Sequence, residues 1–173
     1  MKTRIALLLA LFSLPVAASA QDSGWLSLPA AAFSGAGAFP NATGTAQFFR
    51  TTAFAPVILP DNATVTFMAC GGRAAFRKQI IFTLRRNEPQ QENVDMVVLE
   101  TALDATGFEF VSENQITDGA VDNRKFNYFI VADVSKPGGN SPGNRAVCAN
   151  TSGPGGSGTQ CLVGFCRLGY SLR

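Results

Sequence analysis

Apolar residues come in short runs along this chain, rich in Val, Ile, Phe and Thr and cut off by Gly, Pro, Asn or Asp. Such punctuation belongs to strands, and little of the chain shows a helical period. The runs predict strands over Trp25–Phe33, Ala46–Thr52, Ala63–Cys70, Lys78–Arg86, Val94–Leu103, Phe108–Val111, Phe126–Val134 and Gln160–Leu172. Ala63 to Cys70 alternates small polar with apolar residues and then turns apolar throughout, which suits a strand with one covered face. Pro60-Asp61-Asn62 ahead of it is a turn signal. The polar segment Asn87–Asn93 contains Pro89 and is expected to join two antiparallel strands. About eight strands with recurring turns imply an all-β, two-sheet antiparallel sandwich, jelly-roll-like in arrangement.

The first twenty residues set the compartment. Lys2 and Arg4 precede an apolar stretch from Ile5 to Ala17, and Ala18-Ser19-Ala20 is a small-x-small cleavage pattern. The reading is a signal peptide over residues 1–20, with one domain over 21–173. The apolar stretch is shorter than the roughly 20 residues that span a bilayer, so no membrane insertion is expected. The product is expected to be secreted, extracellular or periplasmic. Lys2 and Arg4 leave with the leader, so 14 basic residues become 12 against 12 acidic ones, and the mature net charge is zero. Without a basic excess, nucleic acid is not an expected partner.

Cys70, Cys148, Cys161 and Cys166 make an even count in an exported chain, which favours disulfides. Four cysteines allow three pairings. Cys148 and Cys161 bracket a Gly/Pro-rich loop at 137–160, and closing it is worth roughly 3 kcal/mol in the chain-entropy picture. Cys70–Cys166 would then tie two separate strands. Cys161 and Cys166 are five apart, so on a regular strand they point to opposite faces.

The chain has no histidine, which removes His-based triads and His-ligated metals. Acid–base work would fall to carboxylates such as Glu100, Glu109 and Glu113, whose spacing gives no sign of a facing pair. Asp61, Asp118 and Asp122 sit in loops without a calcium-loop pattern. The expectation is therefore no enzyme, no cofactor and no metal site. Arg73, Arg77, Lys78, Arg85 and Arg86 form a basic stretch without an acid, followed by seven acids from Glu88 to Glu113 without a base. Either opposite charges pair across a hairpin, or the basic residues form an interaction surface for another copy. Phe33, Phe39, Phe48, Phe49 and Phe54 crowd one region and are expected to be mostly core, a few forming an exposed patch. These features favour a non-catalytic structural or interaction protein whose partner is itself or a cell-surface component. A carbohydrate- or surface-binding module is the alternative, although the chain holds one Trp and two Tyr against 14 Phe.

Four stretches, in this order, resemble a family of uncharacterised secreted bacterial β-sandwich proteins. They are Leu28-Pro-Ala-Ala-Ala-Phe33, Ala55-Pro-Val-Ile-Leu-Pro-Asp-Asn-Ala-Thr-Val-Thr66, Val121-Asp-Asn-Arg-Lys-Phe-Asn-Tyr128 and Gly164-Phe-Cys-Arg-Leu-Gly-Tyr170. The resemblance implies a sandwich fold and carries no activity or site residue. The cysteines and the Gly-rich loop depart from that pattern.

Overall fold

Short alternating segments have no way to bury apolar surface alone, and here they do so by pairing into two sheets laid face to face. The structure, a computed structural model, describes residues 23–35, 39–40, 47–49, 52–74, 78–88, 92–103, 107–135 and 161–172. Its strands are β1 (Ser23–Pro29), β2 (Phe39–Pro40), β3 (Gln47–Phe49), β4 (Thr52–Val57), β5 (Ala63–Arg73), β6 (Gln79–Asn87), β7 (Val94–Glu100), β8 (Glu109–Glu113), β9 (Asn127–Ser135) and β10 (Cys161–Leu172). No α-helix occurs among the described residues; a single 3-10 turn spans Ala30–Ala32.

The pairings are nested: β6 with β7, β5 with β8, β4 with β9 and β3 with β10. A long antiparallel ribbon with that nesting, rolled up, sends successive strands to alternate sheets. The result is β3-β10-β5-β8 in one layer and β4-β9-β6-β7 in the other, the jelly-roll form of the sandwich. The first layer is the larger, because β2 extends β3, and β1 pairs with β10 beyond the stretch that β3 covers. All pairings are antiparallel.

Inward-facing residues of both layers form one core. Ile80, Phe82 and Leu84 of β6 lie beside Val134, Ala132 and Ile130 of β9, all fully buried or nearly so. The larger sheet contributes Met68, Cys70, Val163, Cys166 and Leu168. Strand β5 is not a simple alternation. A register shift at Thr66 moves the inward positions from Ala63 and Val65 to Met68 and Cys70. This bulge is the cause of the change in pattern visible in the sequence.

A second bulge corrects the parity argument for the cysteines. Gly164 is the extra residue between Val163 and Phe165. Cys161 and Val163 face inward before it, and Cys166 and Leu168 after it, all fully buried. Cys70 and Cys166 are direct register partners and are disulfide-bonded, with Cα atoms 4.1 Å apart. Cys161 is also disulfide-bonded; Cys148 lies outside the described residues, as do the leader at 1–20 and most of the loop at 137–160.

The expected strand Trp25–Phe33 ends earlier, at Pro29, where the chain enters the 3-10 turn. Strand β4 runs through Pro56 and was not among the expected runs. Proline is tolerated there because β4 is the outer strand of the smaller sheet.

Candidate interaction face

Phe108 precedes β8 and Phe110 lies within it, two positions apart and on the side away from the core. Their rings are 5.3 Å apart, and Phe110 lies 5.5 Å from Phe165 of β10. Register explains the meeting, since Phe110 pairs with Gly71 and Gly71 with Phe165. The floor beneath the rings is glycine. A Cβ on Gly164 would fall 2.2 Å from Phe108 Cζ, and one on Gly71 2.6 Å from Phe108 Cε1. Only hydrogen at these two positions lets the Phe108 ring lie against the sheet.

Four residues further along β10 on the same face, Trp25 of β1 pairs with Gly169 and meets the Phe67 ring edge-on at 5.6 Å. The Arg167 guanidinium sits 4.2 Å from the centre of the Trp25 ring, a cation–π stack. Between the two aromatic clusters runs a row of small residues, Ser112, Ala69 and Ser27, beside Arg167. The large sheet thus shows solvent two aromatic ridges and a low row between them. Trp25 is 55% exposed, Phe110 67%, and Phe108 and Phe165 39% each. At 150–250 Å² per aromatic side chain, that is on the order of 400 Å² of exposed ring surface shared between the two clusters, comparable to the largest apolar patch of a typical single chain, which is often functional.

On the outer side of the smaller sheet, Phe54, Val131, Thr83 and Val98 form one row from β4 to β7, half exposed at its ends, Phe54 and Val98, and buried in its middle, Val131 and Thr83. On one side of that row lie Thr52, Asp133, Ile81 and Glu100. Asp133 accepts a hydrogen bond from Thr52 and Glu100 one from the Gln79 amide. Among the described residues neither is paired with a cation.

The basic stretch is distributed over the fold. Arg85 faces outward on the smaller sheet and forms an ion pair with Asp95 across the β6–β7 hairpin. Its neighbour Arg86 points to the opposite side, at the end of the sandwich. There it pairs with the Asp118 carboxylate at 2.9 Å and lies over the Phe126 ring at 4.8 Å. Arg73 ends β5, Lys78 precedes β6, and Arg77 lies outside the described residues. Of the crowded phenylalanines, Phe33 is core and Phe54 exposed, while the side chains of Phe39, Phe48 and Phe49 lie outside the described set.

The strand carboxylates are engaged separately. Glu109 accepts the Ala102 N–H at 2.6 Å, and Glu113 accepts those of Asn114 and Gln115 at 2.7 and 2.9 Å. Those two bonds hold the Glu113 carboxyl below its usual range. At the Arg86 end, the Asp122 N–H donates to the Tyr128 hydroxyl at 2.9 Å, and Asn123 N–H donates to Asp61. Burial pushes the Tyr128 hydroxyl pKa up. Among the described residues no three metal-ligating side chains converge, and no helix is long and apolar enough to cross a membrane.

The aromatic ridges escaped the sequence reading because their members lie far apart in the chain. The available signal was Phe108-Glu-Phe110, two large rings on one side of a short strand whose Val111 faces the other way. No protein-family model matches the chain, and neither a curated protein nor a solved structure matches it.

Proposed function

We propose that this chain is an exported, non-catalytic protein that works by presenting the aromatic outer face of its larger sheet to a partner. The observation that carries the reading is the set of exposed rings at Phe108, Phe110, Phe165 and Trp25, laid on glycine at Gly71 and Gly164. An exposed apolar patch of this size is often a contact surface. The buried Cys70–Cys166 bond is compatible with an oxidising compartment. A carbohydrate would use the same face by stacking on Trp25, but Arg167 already occupies a stacking position on that ring. This favours an apolar partner over a sugar.

Trp25 is the sole tryptophan, so its fluorescence reports on this face alone. Acrylamide quenching should fall when the mature protein is concentrated or mixed with its partner. The double variant Phe110→Ser, Phe165→Ser should abolish that protection while keeping its thermal midpoint within a few degrees. Association that persists in the double variant with Trp25 still fully quenchable would assign the work to another surface. Hydrolysis of any polysaccharide in a test panel would refute the non-catalytic reading.

A further inference from the structure

Resting on that reading, we infer that the partner is an acidic strand of another protein. Such a strand presents one carboxylate, with an apolar side chain two residues before it and another two residues after it. Arg167 stands at the middle of the aromatic face, with Phe165 two residues before it and Gly169 two residues after it on β10. The rings of Phe165 and Phe110, 5.5 Å apart, form one ridge, with Gly71 between them in register. Trp25 lies over Gly169 and forms the other. The row between the ridges is open: Ser27, Arg167 and Ser112 are exposed and Ala69 is half-buried. It makes a trough that crosses four strands, about 14 Å long at the usual strand spacing. Its walls stand about 13 Å apart, four residues along β10.

The trough holds a single charge. Trp25 fixes the Arg167 guanidinium by stacking, and among the described residues no carboxylate is paired with it. The outward positions of these rows carry no acid and no lysine. Glu109 and Glu113 of β8 alternate with Phe110 and Ser112 and belong to the opposite face. A guanidinium held by one flat side still presents its edge donors, the fork that suits a carboxylate. A bilayer offers many headgroups in one plane and suits several spread cations, whereas this face offers one arginine set between ridges. A fatty acid carries its carboxylate at one end, so its chain covers one ridge and leaves the other bare. In an extended peptide the side chains of one face recur about every 7 Å, the spacing of the rows themselves. A segment laid along the strands therefore seats its carboxylate on Arg167 and its apolar neighbours on the two ridges.

The probe is a disulfide-closed hairpin peptide that presents Leu-Thr-Glu-Thr-Leu along one strand. It is titrated into the mature, oxidised protein and read by Trp25 emission and acrylamide quenching. The peptide should bind and protect Trp25. Its Leu-Thr-Gln-Thr-Leu counterpart should bind about ten- to a hundredfold more weakly, the range of a hydrogen bond to a charged group. Moving the carboxylate by one residue, to Leu-Glu-Thr-Thr-Leu, should weaken binding as much, because that side chain then leaves the contact face. Arg167→Gln should erase the difference between the Glu and Gln peptides. Arg167→Glu should prefer Leu-Thr-Lys-Thr-Leu to the Glu peptide, a reversal that a merely structural arginine would not give. Ala69→Leu, which fills the trough and leaves the charge alone, should weaken the Glu peptide while the thermal midpoint stays within a few degrees. Equal binding of the Glu and Gln peptides to the wild type would overturn the recognition of a carboxylate. Suppose the peptide fails and Trp25 is protected instead by phosphatidylcholine–phosphatidylglycerol vesicles, by dodecanoate or by concentrating the protein. That would overturn the strand as partner and leave the working face standing. A Trp25 that none of these protects would overturn both.

Discussion

Three glycines of the larger sheet respond differently to a methyl group because of what lies above them. At Gly164 and Gly71 the obstacle is the far end of the Phe108 ring, which can swing into solvent. Gly164→Ala should therefore change stability by less than about 1 kcal/mol, yet disperse the ring cluster, visible as loss of phenylalanine bands in near-ultraviolet circular dichroism. At Gly72 the added carbon meets the Leu162 carbonyl at 2.8 Å and Phe82 Cζ at 3.0 Å in the packed core. Gly72→Ala should cost about 1–3 kcal/mol in guanidinium unfolding, since backbone does not step aside. Tyr128 makes a pH-dependent contribution of known sign. Its folded-state pKa is raised above 10.0 by burial, so the unfolded chain releases that proton first. The contribution to stability is intact below pH 10 and is lost as pH rises beyond it. Tyr128→Phe should flatten that alkaline decline, measured as thermal midpoint against pH.

At the scale of strands, the charge pairing read from the basic and acidic blocks is present in the β6–β7 hairpin as Arg85 with Asp95. That pair is half exposed, and Arg85→Ala should cost no more than about 1 kcal/mol. Arg86 combines an ion pair, a ring contact and a mostly buried stem, so Arg86→Ala should cost about 1–2 kcal/mol, with coupling to Asp118 in a double-mutant cycle. Most strands were legible because their apolar runs are short and end on turn residues, whereas β4, interrupted by Pro56, was not. The bulges at Thr66 and Gly164 were not, because a slip of one residue is set by pairing with the neighbouring strand, and the change of pattern it leaves in Ala63–Cys70 reads equally as a change in how the strand is covered. That is why parity seemed to set Cys161 and Cys166 on opposite faces. The Cys70–Cys166 link, one of three possible pairings, was reached only as the remainder once Cys148 and Cys161 were set to close the Gly/Pro-rich loop, and it is present. Removing it by Cys70→Ala with Cys166→Ala should cost about 2–5 kcal/mol, since it closes a long segment of chain.

For the molecule as a whole, the fold class followed from many short strands and the absence of helical period, whereas the candidate face did not. Phe110, Gly71 and Phe165 become neighbours only through the nesting of β5, β8 and β10. No local pattern announces such a row.

That nesting also has a consequence in time. The last strand to be synthesised among those described, β10, is not peripheral: β1, β3 and β5 all hydrogen-bond to it. Until residues 161–172 arrive, the larger sheet lacks its centre and the rings lack their floor at Gly164. Earlier segments hold all four strands of the smaller layer, but that layer has no complete partner to close the core against until the end of the chain. A chain stopped at Gln160 should show no cooperative thermal transition, and adding a peptide of residues 161–172 to it should restore one.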